Sequence, residues 1–182
     1  LVIGGGAAGM MGALFAAREG ARVTLLEKNE KLGKKIYITG KGRCNLTNNC
    51  DEETFLQNVR RNPRFLYSAL AGFAPADTMA FFEGLGVPLK TERGRRVFPV
   101  SDRAADILAA LEGWAGDAQL LQGEACGLLC QEGRAAGVRL SDGRRLFAQA
   151  VLLCTGGLSY PGTGSTGIGY EMAKEAGHTV VP

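Results

Sequence analysis

Leu1-Val2-Ile3-Gly4-Gly5-Gly6-Ala7-Ala8-Gly9-Met10, carried on through Arg22-Val23-Thr24-Leu25-Leu26-Glu27, decides the fold class. An apolar strand runs into glycines spaced Gly4-x-Gly6-x-x-Gly9. A helix of small residues is expected over Met10 to Glu19 with Gly20 as its stop, and a second apolar strand then ends on an acid. This is a βαβ unit. Gly4 suits the tight turn, Gly6 lets backbone approach a pyrophosphate, and Gly9 lets the helix lie close to the strand, while the helix N-terminus offers unpaired N–H groups. Glu27 stands 23 positions after Gly4, near the roughly 20 expected for a ribose-binding acid. It would accept hydrogen bonds from both ribose hydroxyls and repel a 2′-phosphate, which disfavours NADP at this site. The bland alternative is that Glu27 merely opens a solvated loop beside Lys28. Ala13, Leu14, Phe15, Ala16 and Ala17 make the helix apolar on nearly all sides, so it is expected to pack on a parallel sheet and to be covered on its other face.

Downstream, Lys31 to Asn48 combines five cations (Lys31, Lys34, Lys35, Lys41, Arg43) with Thr39, Asn45, Thr47 and Asn48 in a glycine-punctuated loop free of acids. Such a loop can follow a diphosphate and donate to a polar ring system. Taken alone it equally suits a nucleic-acid patch or a solvated surface. After the first motif, it falls where the rest of a bound dinucleotide would extend.

Asp51 is a natural N-cap for a helix through Asn58, Asn62-Pro63 for one carrying Phe65, Leu66, Leu70 and Phe73, and Pro75 to Glu83 forms a third that Gly84 and Gly86 stop. Leu89 to Val100 is expected to form a hairpin around Gly94. Ser101 then caps a helix whose Ile107, Leu108, Leu111 and Trp114 face inward. Turn signals at Glu132-Gly133 and Asp142-Gly143 divide Gln119 to Leu153 into a small β-meander. Val151 to Gly157 is a buried strand ending in glycines. Thr163 to Gly169 then leads into a helix over Tyr170 to Gly177, as a second cofactor-facing helix N-terminus or simply as a structural turn.

Composition narrows the class further. Gly accounts for 27 of 182 residues, without collagen period, and the net charge is +3, so nucleic acid has no special claim and a folded core is expected. No run approaches the roughly 18 apolar residues of a membrane span. Five cysteines (Cys44, Cys50, Cys126, Cys130, Cys154) at unpatterned spacings and a single His178 point to reduced thiols in a cytoplasmic protein and to no metal site. Several conspicuous residues have bland readings: His178 as a helix-end residue, Cys44 as a packed thiol, Phe81 and Phe82 as core, and Arg93, Arg95 and Arg96 as a solvated hairpin tip, with a basic site for an anionic substrate or a nicotinamide phosphate as the alternative for the arginines. The three-residue first strand, the absence of an initiator Met and a strand starting near Pro182 suggest a piece of a longer protein.

The Gly4–Gly9 turn with Glu27-Lys28, the loop Thr39 to Asn48, Val97-Phe98-Pro99-Val100-Ser101 and Thr155 to Gly167 together resemble the BaiN-type NAD(P)/FAD-dependent oxidoreductases, a family that includes aminoacetone-oxidase-like flavoproteins. The resemblance covers essentially the whole chain. It implies an α/β, Rossmann-like FAD-binding domain of the GR2 type, with a parallel sheet, a β-meander and a helical insertion. On that basis residues 1–50 are the βαβ unit and flavin loop, 51–115 the helical and hairpin insertion, 119–157 the meander and final strand, and 158–182 a glycine-rich turn and helix. The substrate domain lies largely elsewhere.

The resemblance further implies extended FAD, with Gly4, Gly6, Ala7, Ala8 and Gly9 at the pyrophosphate and Glu27 with Lys28 at the adenosine ribose. Backbone near Ala125 would meet the adenine, Lys35 with Arg43, Cys44 and Asn45 would approach the pyrophosphate and flavin ring, and Thr155-Gly156 stands where relatives have Ala-Thr-Gly. Cys154 in place of Ala is a departure that the turn should survive. The implied activity is hydride transfer between NAD(P)H or a small-molecule substrate and the flavin, without nucleic acid or membrane as partner. A plain NAD-dependent dehydrogenase and a non-catalytic nucleotide-binding module are the alternatives. Neither a catalytic acid or base nor an oligomeric state is legible.

Overall fold

A computed structural model of the chain describes residues 1–114 and 118–181, and of Trp114 the backbone alone. The inward side chain expected for Trp114, and Pro182, lie outside the described residues. The chain divides into two compact units, residues 1–36 with 111–182 and residues 37–110.

In the first unit, β1 (Val2–Ile3), β2 (Thr24–Glu27), β6 (Gln119–Gln122) and β10 (Leu152–Leu153) form an all-parallel sheet in the order β10-β1-β2-β6. Val2 pairs with Leu152 on one side and Leu25 on the other, so β1 is the central strand from which the order runs both ways. Ligands of such sheets bind beyond the carboxyl ends of the strands at that switch point, which here is Gly4. The Rossmann-like α/β class follows from this sheet and from α1 (Ala7–Arg18) between its first two strands.

The helix begins three residues earlier than its periodicity predicts, because the turn is complete at Gly6 and Ala7, Ala8 and Gly9 already have helical geometry. Gly9, Met10, Ala13 and Leu14 form its buried stripe at i, i+1, i+4 and i+5. Its other face is less covered than expected, with Phe15 39% exposed.

A separate antiparallel meander of β7 (Ala125–Gln131), β8 (Arg134–Leu140) and β9 (Arg145–Phe147) turns at the two predicted glycines. Gln119–Gln122, expected to belong to it, instead pairs with β2, Leu25 opposite Leu120. Ile3, Leu26, Ala125, Val138, Leu140 and Met172 share one apolar core. Met172 comes from α7 (Ile168–Glu175), after which the His178 N–H donates to the Ala173 carbonyl and residues 178–181 form no strand.

In the second unit, β3 (Thr47–Asn48), β5 (Arg96–Pro99) and β4 (Leu89–Glu92) form an antiparallel sheet, with the β4–β5 hairpin turning at left-handed Gly94 and its arginines exposed. The short helix α2 (Lys34–Ile38), in which the chain passes from the first unit to the second, and β3 arise inside what reads as a polar loop. Asp51 caps α3 (Glu52–Gln57) as expected, its side chain accepting from the Thr54 N–H at 2.8 Å. Asn62 makes no such bond. It is left-handed and precedes a 3-10 turn, Pro63–Leu66, that leads into α4 (Tyr67–Gly72) and leaves Phe65 79% exposed. After α5 (Pro75–Gly84), helix α6 (Ala104–Trp114) starts beyond Ser101, whose hydroxyl accepts from the Arg103 N–H at 3.3 Å. Phe82 is buried with Phe81 edge-on against it, while Val97 and Phe98 fill the sheet.

Candidate functional site

The three glycines of the turn have different neighbours. Gly4 is left-handed (φ +104), its N–H donates to the Leu26 carbonyl at 2.8 Å, and a β-carbon on it would fall 2.4 Å from the Cys154 carbonyl oxygen. A β-carbon on Gly9 would fall 1.7 Å from the Gly4 carbonyl oxygen. Both are demanded by packing. Gly6 is not: its φ of −79 and ψ of −172 are open to any residue, and no atom of the described residues would lie within 4 Å of a β-carbon there.

That open volume faces the start of α1, which has neither a side-chain cap nor an acid in its first turn, and whose Ala7 and Ala8 are exposed. Unpaired N–H groups and the positive helix end make this a cradle for a phosphate-like anion.

Beside it, Glu27 is 9% exposed at the end of β2. Its Oε2 accepts from Gly5 N–H at 2.6 Å, and its Oε1 accepts from the Asn29 N–H at 2.8 Å and the Asn29 side-chain amide at 2.6 Å. Gly5 and Asn29 are absent from the sequence-based site. Asn29 was detectable, because an Asn two residues after an acid at a strand end is placed for a local side-chain bond.

Around this carboxylate, residues 28–35 are tied to residues 159–166. Lys28 Nζ lies 3.5 Å from Thr166 Oγ1 and 3.6 Å from Glu124, and Lys35 Nζ donates to the Ser159 carbonyl at 3.2 Å and sits over the Tyr160 ring. The Gly123 N–H donates to the Glu27 carbonyl at 2.9 Å, which brings the β6–β7 corner and buried Ala125 to the same strand end. A diphosphate bonded to a ribose-like diol would find its anion site and its acceptor here.

Thr155 and Gly156 belong to a packed turn. A β-carbon on Gly156 would fall 2.7 Å from Ser165 Oγ, and one on Gly169 would fall 2.3 Å from Thr155 Oγ1. The second glycine-rich helix start is therefore explained by packing, as the first at Gly6 is not.

Within the basic loop, Arg43 finds its acids elsewhere in the second unit. Arg43 Nε and Nη2 donate to Asp102 Oδ1 at 2.8 and 2.6 Å, Nη1 donates to Glu92 Oε2 at 3.3 Å and Nη2 to Glu92 Oε1, and the guanidinium lies 4.2 Å from the Phe98 ring centre. Lys90 Nζ donates to Asp102 Oδ2 at 2.7 Å. Two cations against two carboxylates sum to no net charge, so the cluster projects little field beyond itself. Lys41 and Asn45 are exposed, and burial pushes the Cys44 thiol up to about 11, which keeps it protonated and unreactive at neutral pH.

Hydrogen bonds from Arg43 hold Glu92, and those from Lys90 and then Arg43 hold Asp102, below the ordinary carboxylate range. Depressed acids stabilise the fold above their unfolded values, near 4, and that contribution is lost as pH falls through the folded ones. Carbon-detected NMR titration should place both midpoints below the ordinary values of their residue types. Ordinary midpoints would mean that the pairs do not persist in solution.

Among the described residues, no group of three or more His, Cys, Asp or Glu is placed to hold a metal, and no helix is long and apolar enough to cross a membrane.

Over residues 1–182 the chain matches the family described as HI0933-like protein Rossmann domain. It is 37% identical over 185 residues to the 3-dehydro-bile acid delta(4,6)-reductase of Clostridium scindens, and 33% identical over 186 residues to the ribosomal RNA dihydrouridine synthase of Escherichia coli. All of this chain is covered in both, against 44% and 45% of those proteins, so it spans less than half their length. The fold is similar to that of a 3-ketosteroid-delta4-(5alpha)-dehydrogenase from Rhodococcus jostii in complex with 4-androstene-3,17-dione. There the TM-score is 0.75 at 18% identity, over 98% of this chain and 53% of that one.

Proposed function

The chain belongs to the HI0933-like Rossmann-domain family, and from that premise we propose that it forms the FAD-holding part of a flavin-dependent oxidoreductase. The observation that carries this reading is the open volume at Gly6, on the bare N-terminus of α1 and beside the buried Glu27 carboxylate. Gly72, Gly84 and Gly113 also have open space without a left-handed φ. What supports a ligand at Gly6 is that its open space lies at a bare helix N-terminus beside a buried carboxylate, where a diphosphate can come closer than a side chain would permit.

In this reading Gly4, Gly6, Ala7, Ala8 and Gly9 hold the diphosphate through backbone N–H groups and the helix end. Glu27 binds the adenosine ribose, with Lys28 and the backbone at Ala125 beside it, and Lys35, Thr155 and Gly156 line the continuation. Bound FAD supplies the two-electron acceptor and donor, and the protein contributes placement and electrostatics. The reductase and dihydrouridine synthase names of the relatives support a reaction that adds hydrogen to a substrate. NADH or NADPH as electron donor, a small-molecule substrate and a cytoplasmic setting complete the proposal. A second substrate reading, ribosomal RNA, is favoured by the E. coli relative's name.

The test is the absorption spectrum of the full-length protein, release of its chromophore on denaturation, and anaerobic titration with NADH and NADPH. Intact, non-covalent FAD that either nucleotide reduces is the expected result. FMN, a flavin-bearing peptide or a colourless protein overturns it. Reoxidation by a 3-dehydro-bile acid or by unmodified ribosomal RNA then separates the two substrates.

A further inference from the structure

A carboxylate offers about four lone-pair positions on its two oxygens. Glu27 has three in use: Oε1 receives the Asn29 N–H and the Asn29 side-chain amide, and Oε2 receives the Gly5 N–H. One remains, on Oε2. Asn29 is itself held from three directions. Its side-chain amide nitrogen donates to Glu27 and, at 3.3 Å, to the Thr163 carbonyl, while its Oδ1 accepts from Lys34 Nζ at 3.1 Å. The reversed amide would turn NH₂ toward an ammonium and an oxygen toward two oxygens, so these partners determine one orientation. Left-handed Gly164 follows Thr163, and a β-carbon there would fall 2.9 Å from the Asn29 amide nitrogen, so the glycine is what lets this loop reach Asn29.

Resting on the reading of Glu27 as the ribose acid, we propose that Asn29 is a positioning residue that fixes the Glu27 carboxylate so that it reads a single ribose hydroxyl, through Oε2. This narrows the expectation that Glu27 accepts from both hydroxyls. The lone-pair count leaves room for one, and Asn29 occupies the oxygen that would have taken the other.

The experiment uses full-length protein freed of flavin and measures binding of ADP, 2′-deoxy-ADP and 3′-deoxy-ADP by calorimetry. In the wild type, one deoxy analogue should bind at least about tenfold more weakly than ADP, the scale of a lost bond to a charged acceptor, and the other within about twofold. Asn29→Ala, and Asn29→Asp, which keeps the shape but replaces the donor by a repelling oxygen, should bring the larger ratio toward one. The ratio is the decisive readout, because general loosening of the fold weakens all three nucleotides together and leaves it unchanged.

Equal weakening by both deoxy analogues in the wild type overturns the single-hydroxyl claim without any variant. A wild-type ratio in both Asn29 variants overturns the positioning role. If the wild type holds FAD tightly yet ignores both hydroxyls, this inference fails and the flavin reading stands; if it binds neither FAD nor ADP, both fall.

Discussion

Full-length protein carrying Gly6→Val is expected to fold as the wild type does and to purify without flavin. Two small effects on the fold oppose each other. Valine is a poorer N-cap than glycine, which costs roughly 1 kcal/mol, and removing a glycine from the unfolded chain returns about 0.4–1 kcal/mol. The φ and ψ at residue 6 are extended, and no atom of the described residues lies within 4 Å of the new β-carbon, so the backbone is unstrained and the β-carbon itself meets nothing. The bound diphosphate has no such freedom. An isopropyl group would stand where it meets the first N–H groups of α1, and each charge-assisted bond lost is worth roughly 1.5–3 kcal/mol. Losing two weakens FAD by more than about a hundredfold. Denaturation midpoints and calorimetry with FAD measure the two halves separately, and wild-type affinity in this variant would remove Gly6 from the site.

The division of labour among the glycines was only partly legible in the chain. Spacing alone announces Gly4, Gly6, Gly9 and Glu27, because a strand, a tight turn and a helix leave few other ways to arrange three glycines before an apolar run. Gly9 is closed by Gly4 within the motif itself, whereas Gly4 is closed by Cys154, about 150 positions away in sequence, and no local pattern carries that second contact. Arg43 shows the same limit from the charged side. Its loop contains no acid, and its partners Glu92 and Asp102 lie 49 and 59 positions downstream, so a cation that reads as available is neutralised by the hairpin and by the turn after it. The strand Gln119–Gln122 reads as part of the meander for a related reason. A four-residue Gln-Leu-Leu-Gln run has no alternation to mark it, and its parallel pairing with β2 is a contact across about 95 residues. Asn29, by contrast, acts on a neighbour two residues away and needed only the local rule for short polar side chains.

Gly9→Ala should do the opposite of Gly6→Val and cost stability on the order of 2 kcal/mol net, whether or not flavin is present. Alanine in a helix interior ordinarily gains about 1 kcal/mol over glycine, so propensity alone predicts a stabilised protein. The close approach decides the sign. The new carbon would fall 1.7 Å from the Gly4 carbonyl oxygen, with the Gly4 carbonyl carbon at 3.0 Å and Cys154 Cβ at 3.4 Å. The first two of these atoms are backbone and cannot rotate away as a side-chain tip could. Relief requires α1 to move off the β1 turn. That turn is held in turn by the Gly4 N–H bond to Leu26, and a shift at Gly4 presses on Cys154 at the end of β10. Overlap against backbone in a packed site costs up to about 3 kcal/mol and occasionally more, which exceeds the propensity gain. Urea denaturation of wild type, Gly6→Val and Gly9→Ala, each stripped of flavin, compares them directly. A Gly9→Ala midpoint at or above wild type would show that the helix does not rest on the turn. A drop confined to Gly9→Ala assigns Gly9 to packing and leaves Gly6 to the ligand.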